Sequence, residues 1–265
     1  MKNHSLYITA LLMTGFIFVS CTGQSSPTSK SPSDANPAPI AIRIGVDPNL
    51  IPFESLDSIK NELVGFDIDV IKAIGVKTNI PIDLIKVKTG FKKVLSSVEN
   101  CDLDAGISAI PISENLNQKM DFSDAYYSST QVLVVKKGNI KISGVDTLSG
   151  MVIGTESGSS SQAEVEKLLI DQSKLFDTFY LAFEALISGN IDAVIADKPR
   201  ASLYVKLKPN NIKIVGSELG ILNYGIAVCK NKPDLLQQLN QGLASIKADG
   251  TLGNLKKKWF SADSP

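Results

Sequence analysis

Asp197 ends the apolar run Ala193-Val194-Ile195-Ala196, and the stretch Ser108-Ala109-Ile110-Pro111-Ile112-Ser113-Glu114-Asn115-Leu116 follows a second run, Ala105-Gly106-Ile107. Ligands of open α/β sheets bind beyond the carboxyl ends of the strands, so these two stretches are candidates for opposite walls of one cleft. Gly158, Ser159 and Ser160 stand before a helical pattern, and the free N–H groups of a helix start suit an anion. Each has a plainer reading as well. Asp197, ahead of Lys198-Pro199-Arg200, fits a helix N-cap, and a Ser/Gly cluster is often only a loop. Imidazole chemistry is excluded beyond the leader: the one histidine is His4, so neither a Ser-His-Asp triad nor a histidine-ligated zinc is possible, and no metal or cofactor is expected. Cys101 and Cys229 read as two isolated thiols, small and buried, without metal-ligand spacing.

The elements that must position these residues alternate. From residue 40 onward short β-branched runs and helical patterns succeed one another, which predicts α/β layers with largely parallel sheets. Strands are predicted over 41–46, 82–87, 104–109, 130–136, 151–155, 192–196, 212–215 and 224–229. Helices are predicted over 65–76, 91–100, 160–170, 181–189, 199–206, 233–248 and 251–258. Residues 94–108, VLSSVENCDLDAGIS, and residues 183–196, FEALISGNIDAVIA, share a plan: a helix, an Asp-Ala pair and an apolar strand. That repetition suggests two similar lobes.

The first 20 residues have a thin basic end at Lys2 and an apolar run from Leu6 to Val19. This is the pattern of a secretory signal, too short and wrongly flanked for a membrane span. Ile17-Phe18-Val19-Ser20-Cys21 resembles a bacterial lipobox with Phe18 where Leu is usual, which makes Cys21 the lipidated N-terminus. The alternative is an ordinary signal peptide followed by a chance cysteine. Between Cys21 and residue 39 the chain carries two charges and almost nothing apolar, so it is expected to stay a flexible tether. Without its leader the chain has one more acid than base, which gives no electrostatic case for nucleic acid.

Residues 41–70, AIRIGVDPNLIPFESLDSIKNELVGFDIDV, run from a strand through an Asp-Pro turn to a helix with acids in its first turn, where the macrodipole favours them. This order, with Lys247-Ala248-Asp249-Gly250-Thr251-Leu252 and Lys258-Trp259-Phe260 near the end, resembles bacterial extracytoplasmic solute-binding proteins of the amino-acid importer type, family 3, in lipoprotein form. The resemblance implies an α/β fold of two Rossmann-like lobes joined by two extended hinge crossings, of the type II periplasmic-binding-protein kind. Residues 131–137 and 224–230 match the crossings, giving lobe 1 over 40–135 plus 226–265 and lobe 2 over 136–225. It implies a non-enzymatic, membrane-anchored, extracytoplasmic protein, expected as a monomer. Its partners would be a small polar solute, such as an amino acid or related amine, and the membrane subunits of an ABC permease.

Within the site, the resemblance puts Asp47, Leu50 and Phe53 at or near the cleft and makes Phe91 a platform for the ligand side chain. It assigns the ligand amine to Asp197 and sets Gly158, Ser159 and Ser160 against the carboxylate. Phe91 reads equally well as core packing, and Leu50 replaces a common aromatic. Ser108, Ala109, Pro111 and Leu116 complete the set. Two of these depart from the family pattern: Pro111 stands where a hydroxyl residue is usual, and Leu116 where an Arg clamps the α-carboxylate. A forked guanidinium matches a carboxylate as Lys does not, and each charge-assisted hydrogen bond lost is worth roughly 1.5–3 kcal/mol. Neither of the two arginines offers an obvious rescue, since Arg43 points the wrong way and Arg200 reads as a local pair. Three outcomes stay open: a ligand with an amine but no conventionally held carboxylate, an anion held by the helix end with Lys88 or Lys92, or a domain that no longer binds small molecules. The competing functions are a sensory or structural lipoprotein and a dehydratase-like enzyme on the same fold, whose carboxylate substrates need the missing Arg.

Overall fold

Ile42, Ile44 and Val46 form strand Ile42–Val46 in the computed structural model, which describes residues 40–88 and 90–261. This strand pairs in parallel with Ile82–Lys86 on one side and Ala105–Gly106 on the other, and the sheet continues through the antiparallel strands Ala227–Val228 and Asp121–Phe122. Its apolar residues share a core with Ile68, Ile71 and Ile74 of helix Phe66–Thr78 and with Leu235, Leu239, Leu243 and Ile246 of helix Pro233–Ala248. Steps of four, four and three put those last four residues on one helical face. Gly242 lets the two helices approach, since a Cβ there would lie 2.8 Å from Cγ2 of Ile74. Each such aliphatic side chain contributes roughly 1.5–3 kcal/mol on burial, which is why this helix has the bounds its periodicity predicts.

The second sheet runs in the order Ser173–Phe176, Ile153–Glu156, Ala193–Asp197, Tyr127–Lys136, Ile212–Val215. The first three are parallel and the last two add antiparallel pairings. Both sheets are therefore mixed rather than largely parallel. The reason is strand Tyr127–Lys136, which serves both halves of the fold. Its first residues pair with Ile221–Tyr224 and its later ones with Ala193–Asp197 and Ile212–Val215. A strand that arrives from the other sheet needs no crossover helix, so nothing forces it to run parallel.

The predicted strand 104–109 shortens to Ala105–Gly106, because the chain turns away at Ala109 with φ 45. The run 224–229 divides into the end of Ile221–Tyr224 and the strand Ala227–Val228. A small antiparallel sheet of Asn49–Leu50, Glu54–Asp57 and Glu62–Val64 was not foreseen, nor were strand Ser173–Phe176 and the short helix Glu114–Asn117. Cys101 and Cys229 are not isolated thiols: they form a disulfide with Cα atoms 5.3 Å apart. Their separation of 128 residues hides that proximity in the sequence. Cys21 lies outside the described residues.

Candidate functional site

Strands Ile153–Glu156 and Ala193–Asp197 each end on a buried acid. Helix Lys198–Leu207 starts directly after Asp197, with Pro199 pre-set for its first turn, and brings Arg200 back over the strand ends. Nη1 of Arg200 donates to Oε2 of Glu156 at 3.0 Å. Its Nε lies 3.3 Å from Oδ1 of Asp197, an ion pair without hydrogen-bond geometry. The guanidinium stands 5.0 Å over the ring of Phe179 at the start of helix Phe179–Ser188. Oδ2 of Asp197 accepts from the phenol of Tyr224 at 3.0 Å, and the side chain makes no cap bond to its own helix.

Burial pushes the Glu156 carboxyl up to about 7; Arg200 opposes this, while Asp197 and Asp47 add to it. Burial works against the charge of Arg200, but Asp197 and Glu156 outweigh it and hold the guanidinium above its usual range. The Asp47 carboxyl is also raised by burial, with hydrogen bonds from Asn49 and the charge of Arg200 opposing. Three acids thus act on one arginine.

Phe91, Ala109 and Pro111 face this cluster from the first sheet's side, and Ser159, Ser160 and Ser161 close the cavity from the other. About 10 Å³ remains between them, while a single water needs about 10–15 Å³. Protein side chains therefore fill the cleft, with Arg200 the largest of the polar ones. Ser161 Oγ is buried with no hydrogen-bond partner. Among the described residues no group of three or more histidine, cysteine, aspartate or glutamate side chains is arranged to hold a metal ion.

A second acidic pair supports the wall. Gly65, with φ 140, starts helix Phe66–Thr78 where an added Cβ would collide with the carbonyl of Phe53; that carbonyl accepts the N–H of Asp67 at 2.9 Å. Asp67 is thereby fixed beneath the turn at Ala109. Its Oδ2 accepts the Ala109 N–H at 2.7 Å and the Tyr126 phenol at 2.9 Å. Glu54, fully buried beside it, is raised well above the carboxylate range by burial and then by the Asp67 charge, while burial lifts Asp67 to about 6. Oδ1 of Asp67 and both oxygens of Glu54 lack a donor in the structure. Burial of two carboxyls side by side favours a proton on Glu54, the more strongly raised of the pair.

Of the residues proposed from sequence, Phe91, Ala109, Pro111, Ser159, Ser160 and Asp197 line the small cavity. Asp47 is buried at the strand end, its Oδ1 accepting from Asn49 Nδ2 at 2.9 Å and its N–H donating to Ser108 Oγ at the same distance. Ser108 is thus a support for Asp47, itself fully buried. Leu50 lines a larger neighbouring cavity of about 640 Å³ that also touches Glu156, Phe179 and Arg200. Phe53 is fully buried in an aromatic core with Phe66, Tyr127, Tyr224 and Phe260, behind Tyr224 and without lining the cavity itself. Leu116 does not line the cavity; it packs half-buried against the apolar cluster that contains Phe91, Ile110 and Met120. Gly158 spends its N–H on Oε1 of Gln162 at 2.8 Å and does not line the cavity. Lys92 donates to Ser157 Oγ at 2.8 Å, which engages it across the cleft mouth. Sequence reasoning missed Glu156, Phe179 and Tyr224, and placed Arg200 as a local pair without its position in the cleft. The signal for Glu156 was present, since it too follows an apolar strand at its carboxyl end.

Residues 42–262 match the family described as bacterial extracellular solute-binding proteins, family 3. The chain belongs to that family. This solute-binding protein is 30% identical over 267 residues to a probable histidine-binding protein of Neisseria gonorrhoeae, covering 98% of this chain and 97% of the relative. It is 35% identical over 210 residues to the ABC transporter glutamine-binding protein GlnH of Bacillus subtilis, covering 76% and 74%. Among solved structures, an ancestral arginine-binding protein bound to glutamine superposes with a TM-score of 0.76 at 37% identity, over 83% of this chain and 97% of that one. Such solute-binding proteins share the mixed α/β architecture seen here, and no helix among the described residues is long and apolar enough to cross a membrane.

Proposed function

We propose that this solute-binding protein is the lipid-anchored binding component of an ABC importer, taking an amino acid or a related small amine-bearing solute and closing on it like a hinge. The observation that carries this reading is the acid pair Glu156 and Asp197 at adjacent strand ends, two acids to the one guanidinium of Arg200 between them. Such a pair selects positive charge, because a buried carboxylate needs a cationic partner. Pro111 and Leu116 add nothing for a carboxylate: one has neither hydroxyl nor N–H, and the other is turned into apolar packing. Amines and cations therefore outrank acids as ligands. A dehydratase acting on an acid fits this charge balance poorly.

The lobes would be residues 40–135 plus 226–265 and 136–225, with the paired strands Tyr127–Lys136 and Ile221–Tyr224 as the flexing region. The relatives' names support an amino-acid or amine ligand, and the disulfide suits an oxidising extracytoplasmic compartment. Cys21 would carry the anchor and the permease would be the membrane partner.

The test is calorimetry of the protein and of Asp197→Asn against the common amino acids and a set of amines, with small-angle scattering on any pair that binds. Asp197→Asn is expected to weaken a cationic ligand by roughly 2–5 kcal/mol. Submicromolar binding of an acidic amino acid that survives Asp197→Asn would overturn the assignment. Cys21→Ser should release the protein from membranes, and unchanged fractionation would discard the lipid anchor.

A further inference from the structure

We propose that Arg200 is a resident occupant of the cation subsite, so that a solute enters only when its own cationic head replaces this guanidinium between Asp197 and Glu156. The inference rests on the binding reading above and names the residue that sets its selectivity.

Four observations carry it. Arg200 is 7% exposed, and its guanidinium meets one carboxylate on each side, Glu156 at 3.0 Å and Asp197 at 3.3 Å. Phe179 covers its face at 5.0 Å, the aromatic contact a free organic cation would seek. The space left in the polar part of the cleft, about 10 Å³, holds no solute while the guanidinium is there. Its hold is also incomplete. Nε of Arg200 and Oδ1 of Asp197 both lack a hydrogen-bond partner, so a better-oriented ammonium or guanidinium group gains a contact that the tether denies Arg200.

Displacement has somewhere to go. Arg200 also borders the cavity of about 640 Å³ lined by Leu50, Tyr180, Leu203 and Tyr204. Rotating the side chain into that cavity keeps its stem on apolar surface and offers two phenol rings to the charge. Arg200 stands in the first turn of the helix that follows Asp197 and already borders both spaces, so the exchange is a rotation of its side chain. A neutral or anionic solute supplies no cation and would leave Asp197 and Glu156 unpaired. The guanidinium would then act as a filter on entry.

The experiment uses methylguanidinium, the detached head of Arg200, as probe. Arg200→Ala leaves two buried acids beside a space of guanidinium size, and is expected to lower Tm by roughly 10 °C. Methylguanidinium at about 10 mM should restore most of that loss, binding the variant at least about tenfold more tightly than it binds the unmodified protein. Tetramethylammonium at equal ionic strength, too bulky for two close carboxylates, should not. Arg200→Met, which fills the space without charge, should fold and show no rescue. If Arg200→Ala does not fold unaided, refolding in methylguanidinium becomes the readout, and recovery supports the proposal. Failure of methylguanidinium to stabilise or refold Arg200→Ala, with Arg200→Met folded, overturns it. A solute bound through Asp197 in the unmodified protein alongside that failure would leave the transport reading intact and discard only the role of Arg200. Rescue in a protein that binds no solute would show only that the guanidinium's space can be refilled, and would overturn the filter together with the binding reading.

Discussion

The phenol of Tyr224 donates to Oδ2 of Asp197 at 3.0 Å, which ties strand Ile221–Tyr224, paired with the start of Tyr127–Lys136, directly to the acid in the cleft. Tyr224 is almost fully buried and lies opposite Tyr127 in the paired strands, the two rings stacked with centroids 5.9 Å apart. Burial, then the charge of Asp197, holds the phenol well above its usual pKa, so it stays a donor across the working pH range. Tyr224→Phe keeps the stack and removes the donor. Unfolding in urea should show a loss of roughly 1–3 kcal/mol, the cost of leaving a buried carboxylate oxygen unpaired. A loss under about 0.5 kcal/mol would mean that another group takes the phenol's place.

Glu156 makes stability depend on pH. Its carboxyl is raised from 4.5 to about 7 by burial, so between those values the folded protein binds more protons than the unfolded chain. Stability then falls as pH rises through that window, by up to about 3 kcal/mol for this group alone. Asp67, raised from 3.8 to about 6, acts in the same direction at slightly lower pH. Tm should therefore be higher near the acid end of the window than above it. Glu156→Gln still accepts the Arg200 bond but cannot titrate, and should flatten the upper part of the curve. A profile in which Tm rises steadily across this window would contradict the arrangement.

A proton held on Glu54 by burial beside Asp67 separates two substitutions of the same residue. Protonated Glu54 resembles Gln in shape and charge, so Glu54→Gln should change stability at neutral pH by less than about 1 kcal/mol. Glu54→Ala opens a cavity in the core and should cost roughly 2–4 kcal/mol. Equal losses for the two would show that Glu54 is ionised in the folded protein.

What the sequence made legible follows from how local each feature is. The Asp-Ala pairs in the two repeated blocks do the same work in each half: Asp104 accepts the Arg43 N–H at 2.7 Å, and Asp192 accepts the Val152 N–H at 2.8 Å. Each side chain caps the start of a neighbouring parallel strand, a role fixed by the block itself. Asp197 was legible because strand, acid and helix follow one another directly. That Phe53 stands behind Tyr224 and not on the cavity wall was not legible, because whether an aromatic faces cleft or core depends on what lies across from it. Arg200 as an occupant, and Cys101 with Cys229, were hidden for the same reason. Their meaning lies in partners that chain spacing does not encode.

The disulfide offers the remaining test. Cys101 follows helix Phe91–Glu99, and Cys229 is buried just after strand Ala227–Val228, so the bond ties an early connection to the segment that returns from the second sheet. Closing 128 residues of chain restricts the unfolded ensemble strongly, and the loop-entropy argument gives about 3–5 kcal/mol of stabilisation. Replacing both residues by Ser should lower Tm by roughly 10 °C for a domain of this size. Reductant should produce a similar loss in the unmodified protein and none in the double variant. Direct chemistry decides the matter first: thiol titration of the denatured, unreduced mature protein should find neither Cys101 nor Cys229 free. Two reactive equivalents assigned to these residues would remove the bond and return them to isolated thiols.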